Sequence, residues 1–93
     1  MIDQKLDAIF EIGKTYFLCR FMDESIGLAG ILVQKHYDTF IDVLFMKFFV
    51  DGKIEDWEID ASNGWNIEYA DDLECEYILA EDHEGNNTPI YLK

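Results

Sequence analysis

The chain has 93 residues and carries twenty acidic against seven basic side chains, a formal charge of −13, with 49% hydrophobic and 15% aromatic content. So apolar a chain is not a disordered acidic tail, whose signature is high charge with few aromatics, and so negative a chain repels nucleic acid and anionic membrane surfaces. The length predicts a single domain over residues 1–93 with one core and modest stability, burying about 60% of its unfolded surface.

No stretch reaches the roughly 20 apolar residues that span a bilayer. Asp3 and Asp7 stand where a signal peptide would be basic and then apolar, so a cytoplasmic protein is expected. Cys19 and Cys75 both sit in apolar runs, and a reducing compartment favours two buried thiols over a disulfide.

In chain order, Asp3 can cap a short helix whose apolar positions Ile2, Leu6, Ile9 and Phe10 fall three or four apart, with Gly13 ending it. The β-branched and aromatic run from Thr15 to Met22 predicts a buried strand, stopped by Asp23, Glu24 and Ser25. Between Ile26 and Tyr37, Ser25 could cap a helix, but Gly27 and Gly30 weaken one, and pairing with the previous strand is favoured. Phe40 to Val50 is almost continuously apolar. Asp51 and Gly52 form a preferred two-residue turn that folds Lys53 to Ala61 back onto it.

A three-residue turn of Ser62, Asn63 and Gly64 would next set Ala61 opposite Trp65, Ile59 opposite Ile67 and Trp57 opposite Tyr69. That register makes one face apolar. The other then carries Asp56, Glu58 and Asp60 beside Asn66 and Glu68, with Glu58 facing Glu68. After Asp71 and Asp72, alternation resumes with Leu73, Cys75, Tyr77 and Leu79 on one side and Glu74 and Glu76 on the other. A polar turn from Glu81 to Asn87 leads to Thr88–Leu92, which Pro89 restricts to an edge or a strand start. The fold class expected is α+β: a short N-terminal helix followed by an antiparallel meander of about five to six strands, strongly curved or closed into a small barrel.

Charge is divided unevenly along the chain. Residues 1–50 hold seven acids and five bases, whereas residues 51–93 hold thirteen acids and two bases. Solubility alone explains acids on a sheet face in water, but it asks for mixed signs and does not ask for like charges directly across strands. The expected site is therefore a partner-binding surface made of Asp56, Glu58, Asp60, Glu68, Asp71, Asp72, Glu74 and Glu76.

Chemistry-bearing motifs are missing: the sequence has no glycine-rich phosphate loop, nucleophile elbow, zinc-ligand cysteine pair or paired-histidine helix. His36 beside Tyr37 reads as an ordinary surface or half-buried histidine. His83, between Asp82 and Glu84, reads as part of a charged turn rather than a metal ligand. Strand spacing does not by itself converge Asp56, Glu58, Asp60 and Glu68 on a cation such as magnesium or calcium. No catalysis, metal or cofactor is expected.

The window Asn63, Gly64, Trp65, Asn66, Ile67, Glu68, Tyr69, Ala70, Asp71, Asp72, Leu73, Glu74, about a dozen of the 93 residues, resembles part of a family of acidic phage anti-CRISPR proteins that block Cas9 by imitating DNA. In that family the stretch is helical and its acids occupy the place where Cas9 reads the motif flanking its target, whereas the strand register here makes it a hairpin. The resemblance implies a DNA-mimicking role for Glu68, Asp71, Asp72 and Glu74.

The function expected is that of an acidic, non-enzymatic inhibitor of a basic, nucleic-acid-handling protein, either a phage anti-defence protein or an immunity protein against a nuclease toxin. Its carboxylates would pair with Arg and Lys that otherwise hold phosphates. The competing expectation is a small β-rich assembly module that oligomerises through its aromatic side chains.

Overall fold

The computed structural model describes residues 4–19, 27–71 and 73–92; the expected cap Asp3, the strand end at Phe21 and Met22, and Asp72 lie outside them. A helix α1 (Gln4–Ile9) precedes seven strands: β1 (Thr15–Cys19), β2 (Gly27–Asp38), β3 (Val43–Val50), β4 (Lys53–Asp60), β5 (Glu68–Ala70), β6 (Cys75–Glu81) and β7 (Asn87–Tyr91). All pairings are antiparallel. The order is β4-β3-β2-β1-β7-β6-β5, and a pairing of Glu58 with Glu81 joins β4 to β6, so the sheet curls into a ring with β5 outside it. Among the described residues no helix is long and apolar enough to cross a membrane.

Alternation fills the ring. Leu44, Met46, Phe48 and Val50 on β3, Trp57 and Ile59 on β4, and Ile78, Ala80 and Ile90 on β6 and β7 form one cluster with Leu6 and Phe10. Phe10, Tyr16, Phe48 and Trp57 make a chain of ring contacts at 5.4, 6.1 and 6.1 Å, the last two edge-on, the arrangement aromatic quadrupoles prefer. A six-residue helix is marginal on its own, and α1 is held from outside. The Lys35 ammonium donates to the carbonyls of Asp7 (2.7 Å) and Phe10 (2.8 Å), taking up C-terminal acceptors that the helix leaves open.

The β3–β4 hairpin follows its turn chemistry. Asp51 and Gly52 have φ of 50° and 79°, both positive as a type I′ turn requires, and Val50 pairs with Lys53. A bulge between Leu32 and Gln34 shifts the phase of β2, so that Leu32 and Lys35 both point inward and Val33 is left on the surface.

Several expected features are corrected. The hairpin turn at 62–64 does not form: the Asp60 carboxylate accepts from the Ser62 N–H and hydroxyl, and this local bonding starts a 3₁₀ turn (Ala61–Asn63) that carries the chain away from β4. Trp65 packs on the core from an irregular stretch, and β5 pairs with β6 through Glu68 and Tyr77, Tyr69 and Glu76, and Ala70 and Cys75. Glu58 therefore faces Phe45 and Glu81, not Glu68, and Tyr69 is exposed. On β6 it is Ile78 and Ala80 that turn inward, with Leu79 exposed; Cys75 is a buried free thiol. Pro89 lies inside β7 rather than at an edge, but β1 reaches only Ile90 and Tyr91, so the ladder on that side stops before the proline.

Candidate partner-binding face

The type I′ turn fixes which β4 residues look outward. Ile54, Asp56, Glu58 and Asp60 alternate with the inward Glu55, Trp57 and Ile59. On the outer surface these residues continue rows that cross β2 and β3: Gln34, Lys47 and Asp56 in one row, His36, Phe45 and Glu58 in the next, and Asp38, Val43 and Asp60 in the last. An open trough of ≈ 410 Å³ lies along the first two rows. Its His36 and Glu58 are two strands apart, roughly 9–10 Å at the backbone, so they do not form a proton-transfer pair.

The expected acids meet different fates. Asp56 is neutralised by Lys47 at 2.7 Å. Asp60 keeps its charge readily: the Ser62 hydroxyl, then the Ser62 N–H, hold its carboxyl below the usual range. Glu58 is the reverse case, pushed up first by burial, then by the Glu81 and Asp60 charges. Glu58 and Glu81 sit across from each other where the ring closes, a juxtaposition that costs on the order of 0.2–1 kcal/mol. Glu58, Asp60 and Glu81 line a smaller groove of ≈ 140 Å³ together with Trp65, Asn66 and Asn87.

Glu68 points the same way as Tyr77 and hence as Glu81, but about 13 Å farther along β6, while Glu76 faces with Tyr69 to the opposite side of the β5–β6 hairpin. Asp71 and Glu74 are exposed in the turn between β5 and β6, Glu74 with φ of 52°. The described members of the expected set thus do not share one face. The structure assembles Glu58, Asp60 and the unexpected Glu81 at the ring closure. The β2–β3 loop stands over this end: Asp42 accepts from the Ala61 N–H through its carbonyl, Asp38 accepts from the Phe40 N–H, and Phe40 is 98% exposed.

Glu55 went unnoticed in the sequence although alternation from Trp57 and Ile59 places it inside. It is 7% exposed, accepts from the Trp57 indole N–H at 3.1 Å, and lies 3.4 Å from Nδ1 of His83. His83 is delivered by a tight turn in which the buried Asp82 carboxylate accepts from the N–H groups of Glu84 and Asn86. Among the described residues no three His, Cys, Asp or Glu side chains are placed to hold a metal ion. No known protein family, curated protein or solved structure matches the chain.

Proposed function

We propose that this protein is a non-enzymatic inhibitor that covers a basic, nucleic-acid-binding surface of another protein in the cytoplasm, as a phage anti-defence protein or as an immunity protein against a nuclease toxin. In this reading the ring of strands is a small barrel serving as a rigid mount. The observation that carries the proposal is the junction of Glu58, Glu81 and Asp60, where like charges are set across a strand pair and one of them is partly desolvated. Folding gains nothing from that placement, whereas an approaching Arg or Lys relieves it. Phe40, exposed on the β2–β3 loop between Asp38 and Asp42, adds an apolar side chain next to these acids. Imitation of phosphates is the mode proposed: carboxylates take the places that DNA oxygens fill in the partner's groove.

The test is capture of partners from the native host with the wild-type chain and with Glu58→Gln/Asp60→Asn/Glu81→Gln. The expected result is a basic, nucleic-acid-binding protein retained by the wild type, released as salt rises, and lost with the variant. Equal capture by both chains overturns the reading.

A further inference from the structure

The outer face of the ring has a second region, at the end of β2, β3 and β4 opposite the carboxylates. Ile31, Phe49 and Ile54 lie in one cross-strand row and are 42%, 43% and 53% exposed. Val33 on the bulge and Phe17, diagonal to Ile31 across the β1–β2 pair, extend the row on β2 and onto β1. An antiparallel sheet with one face in water carries polar side chains there, so five large apolar groups on that face call for a cover.

We infer that this face is the contact between two copies of the chain, packed sheet on sheet about a two-fold axis. Charge selects the occupant. Apart from the buried Glu55, the charged residues next to the row by chain or register are Lys14, Lys47 and Lys53 with Asp51 and Asp56, three lysines against two aspartates, in a chain whose formal charge is −13. Elsewhere the acids repel a second copy. Here the local balance lets two copies meet, and a two-fold axis can set Lys53 of one copy toward Asp51 of the other.

Area agrees. At on the order of 150–200 Å² per large side chain, five groups exposed by nearly half present on the order of 400 Å², the size of patch that on monomers is often functional. A standard interface buries about 800 Å² per partner, of which about 56–65% is apolar, so the patch with its polar rim supplies what a dimer needs. Facing sheets pack about 10 Å apart, close enough for Phe49 and Ile54 to interdigitate with their counterparts. The inhibitor reading is independent of this contact.

Sedimentation equilibrium of the full chain from low micromolar to millimolar concentration decides it. The expected result is a species of twice the 10.9 kDa chain mass that holds or tightens as salt rises, because screening removes the repulsion of the distant acids. Phe49→Gln/Ile54→Gln should weaken the dimer by more than about tenfold with an unchanged circular dichroism spectrum. If that variant fails to fold, Ile54→Lys, at the most exposed position of the row, gives the same reading. A monomer at every concentration, a dimer that dissociates with added salt, or a dimer unaffected by a folded variant overturns the inference.

Discussion

Strands β2, β3 and β4 present two different surfaces at their two ends. Toward the Asp51-Gly52 turn the outward residues are Ile31, Phe49 and Ile54; toward the β2–β3 loop they are Asp38 and Asp60, flanking the buried Val43, with Glu58 and Glu81 alongside. The backbone, the alternation and the packed interior are the same for both ends, since Leu44 and Ile59 at one end are as buried as Phe48 and Val50 at the other. The fold therefore does not dictate the outer residues. A face tuned only for solubility would mix signs evenly, whereas here the row of Ile31, Phe49 and Ile54 stands at one end and the acids Glu58, Asp60 and Glu81 gather at the other, which is how two separate contacts would be built.

The largest expected effect separates the two ends by partner. Glu58→Gln/Asp60→Asn/Glu81→Gln should weaken binding to the captured basic protein by about 100-fold or more, since each charged hydrogen bond is worth about 1.5–3 kcal/mol. Phe49→Gln/Ile54→Gln should leave that affinity within about twofold, because it touches no carboxylate. Titration calorimetry with the captured protein measures both, and the reverse ranking would break the division of labour between the ends.

Between the two ends β4 carries the buried Glu55. Glu55→Ala leaves the Trp57 indole N–H without its acceptor inside the ring and releases His83, so it should destabilise by about 1–3 kcal/mol in urea unfolding. Glu55→Gln retains a carbonyl acceptor for Trp57 and should cost less. A loss in the alanine variant as small as at an exposed site would mean that the His83 turn is not fastened to β4 through this carboxylate.

Glu58 gives a pH-dependent contrast. Its carboxyl is raised above the ordinary value of 4.5, so both folded and unfolded chains are ionised at neutral pH and the folded one bears the penalty. The penalty fades as pH falls through the raised pKa toward 4.5, where the folded state takes up its proton first. Glu58→Gln should therefore raise the melting temperature at pH 7 by a small amount and lose that advantage at about pH 4, in parallel thermal scans. Asp60→Asn should behave oppositely, losing the contribution of a carboxyl that is held low by Ser62.

What the sequence allowed to be read follows from range. The Asp51-Gly52 hairpin, the pairing of β1 with β2 and the alternation of Asp56, Glu58 and Asp60 rest on neighbouring residues, and all three stand in the structure. The expected hairpin at 62–64 gives way because two local solutions compete: Gly64 suits a turn, but the Asp60 carboxylate captures Ser62. The pair that closes the ring was not legible, because Glu58 and Glu81 stand 23 positions apart and no local pattern specifies that pair. The principle of like charges across a strand pair was right, yet the partner was Glu81 rather than Glu68. Glu55 could have been found from parity alone. The apolar outer row could not, since Phe45 to Val50 is apolar at nearly every position and only the burial pattern shows which residues face out.

The smallest effect concerns the boundary between the two ends. Lys47 and Asp56 pair at 2.7 Å on the surface, one row from Phe49 and Ile54 and one row from Glu58. An exposed pair contributes about 0–1 kcal/mol and is screened by salt, so Lys47→Ala should shift the urea midpoint little, and less still in high salt. Its consequence for binding is larger than for folding. Without Lys47 the Asp56 charge is free, and the acidic end grows by one carboxylate toward the apolar row. Association with the basic partner should then speed up at low salt, while the two-copy contact should weaken, because its near-neutral surroundings turn negative. Stopped-flow association and sedimentation on the same variant read the two ends in opposite directions, and a change of the same sign in both would mean that the ends are not electrically separate.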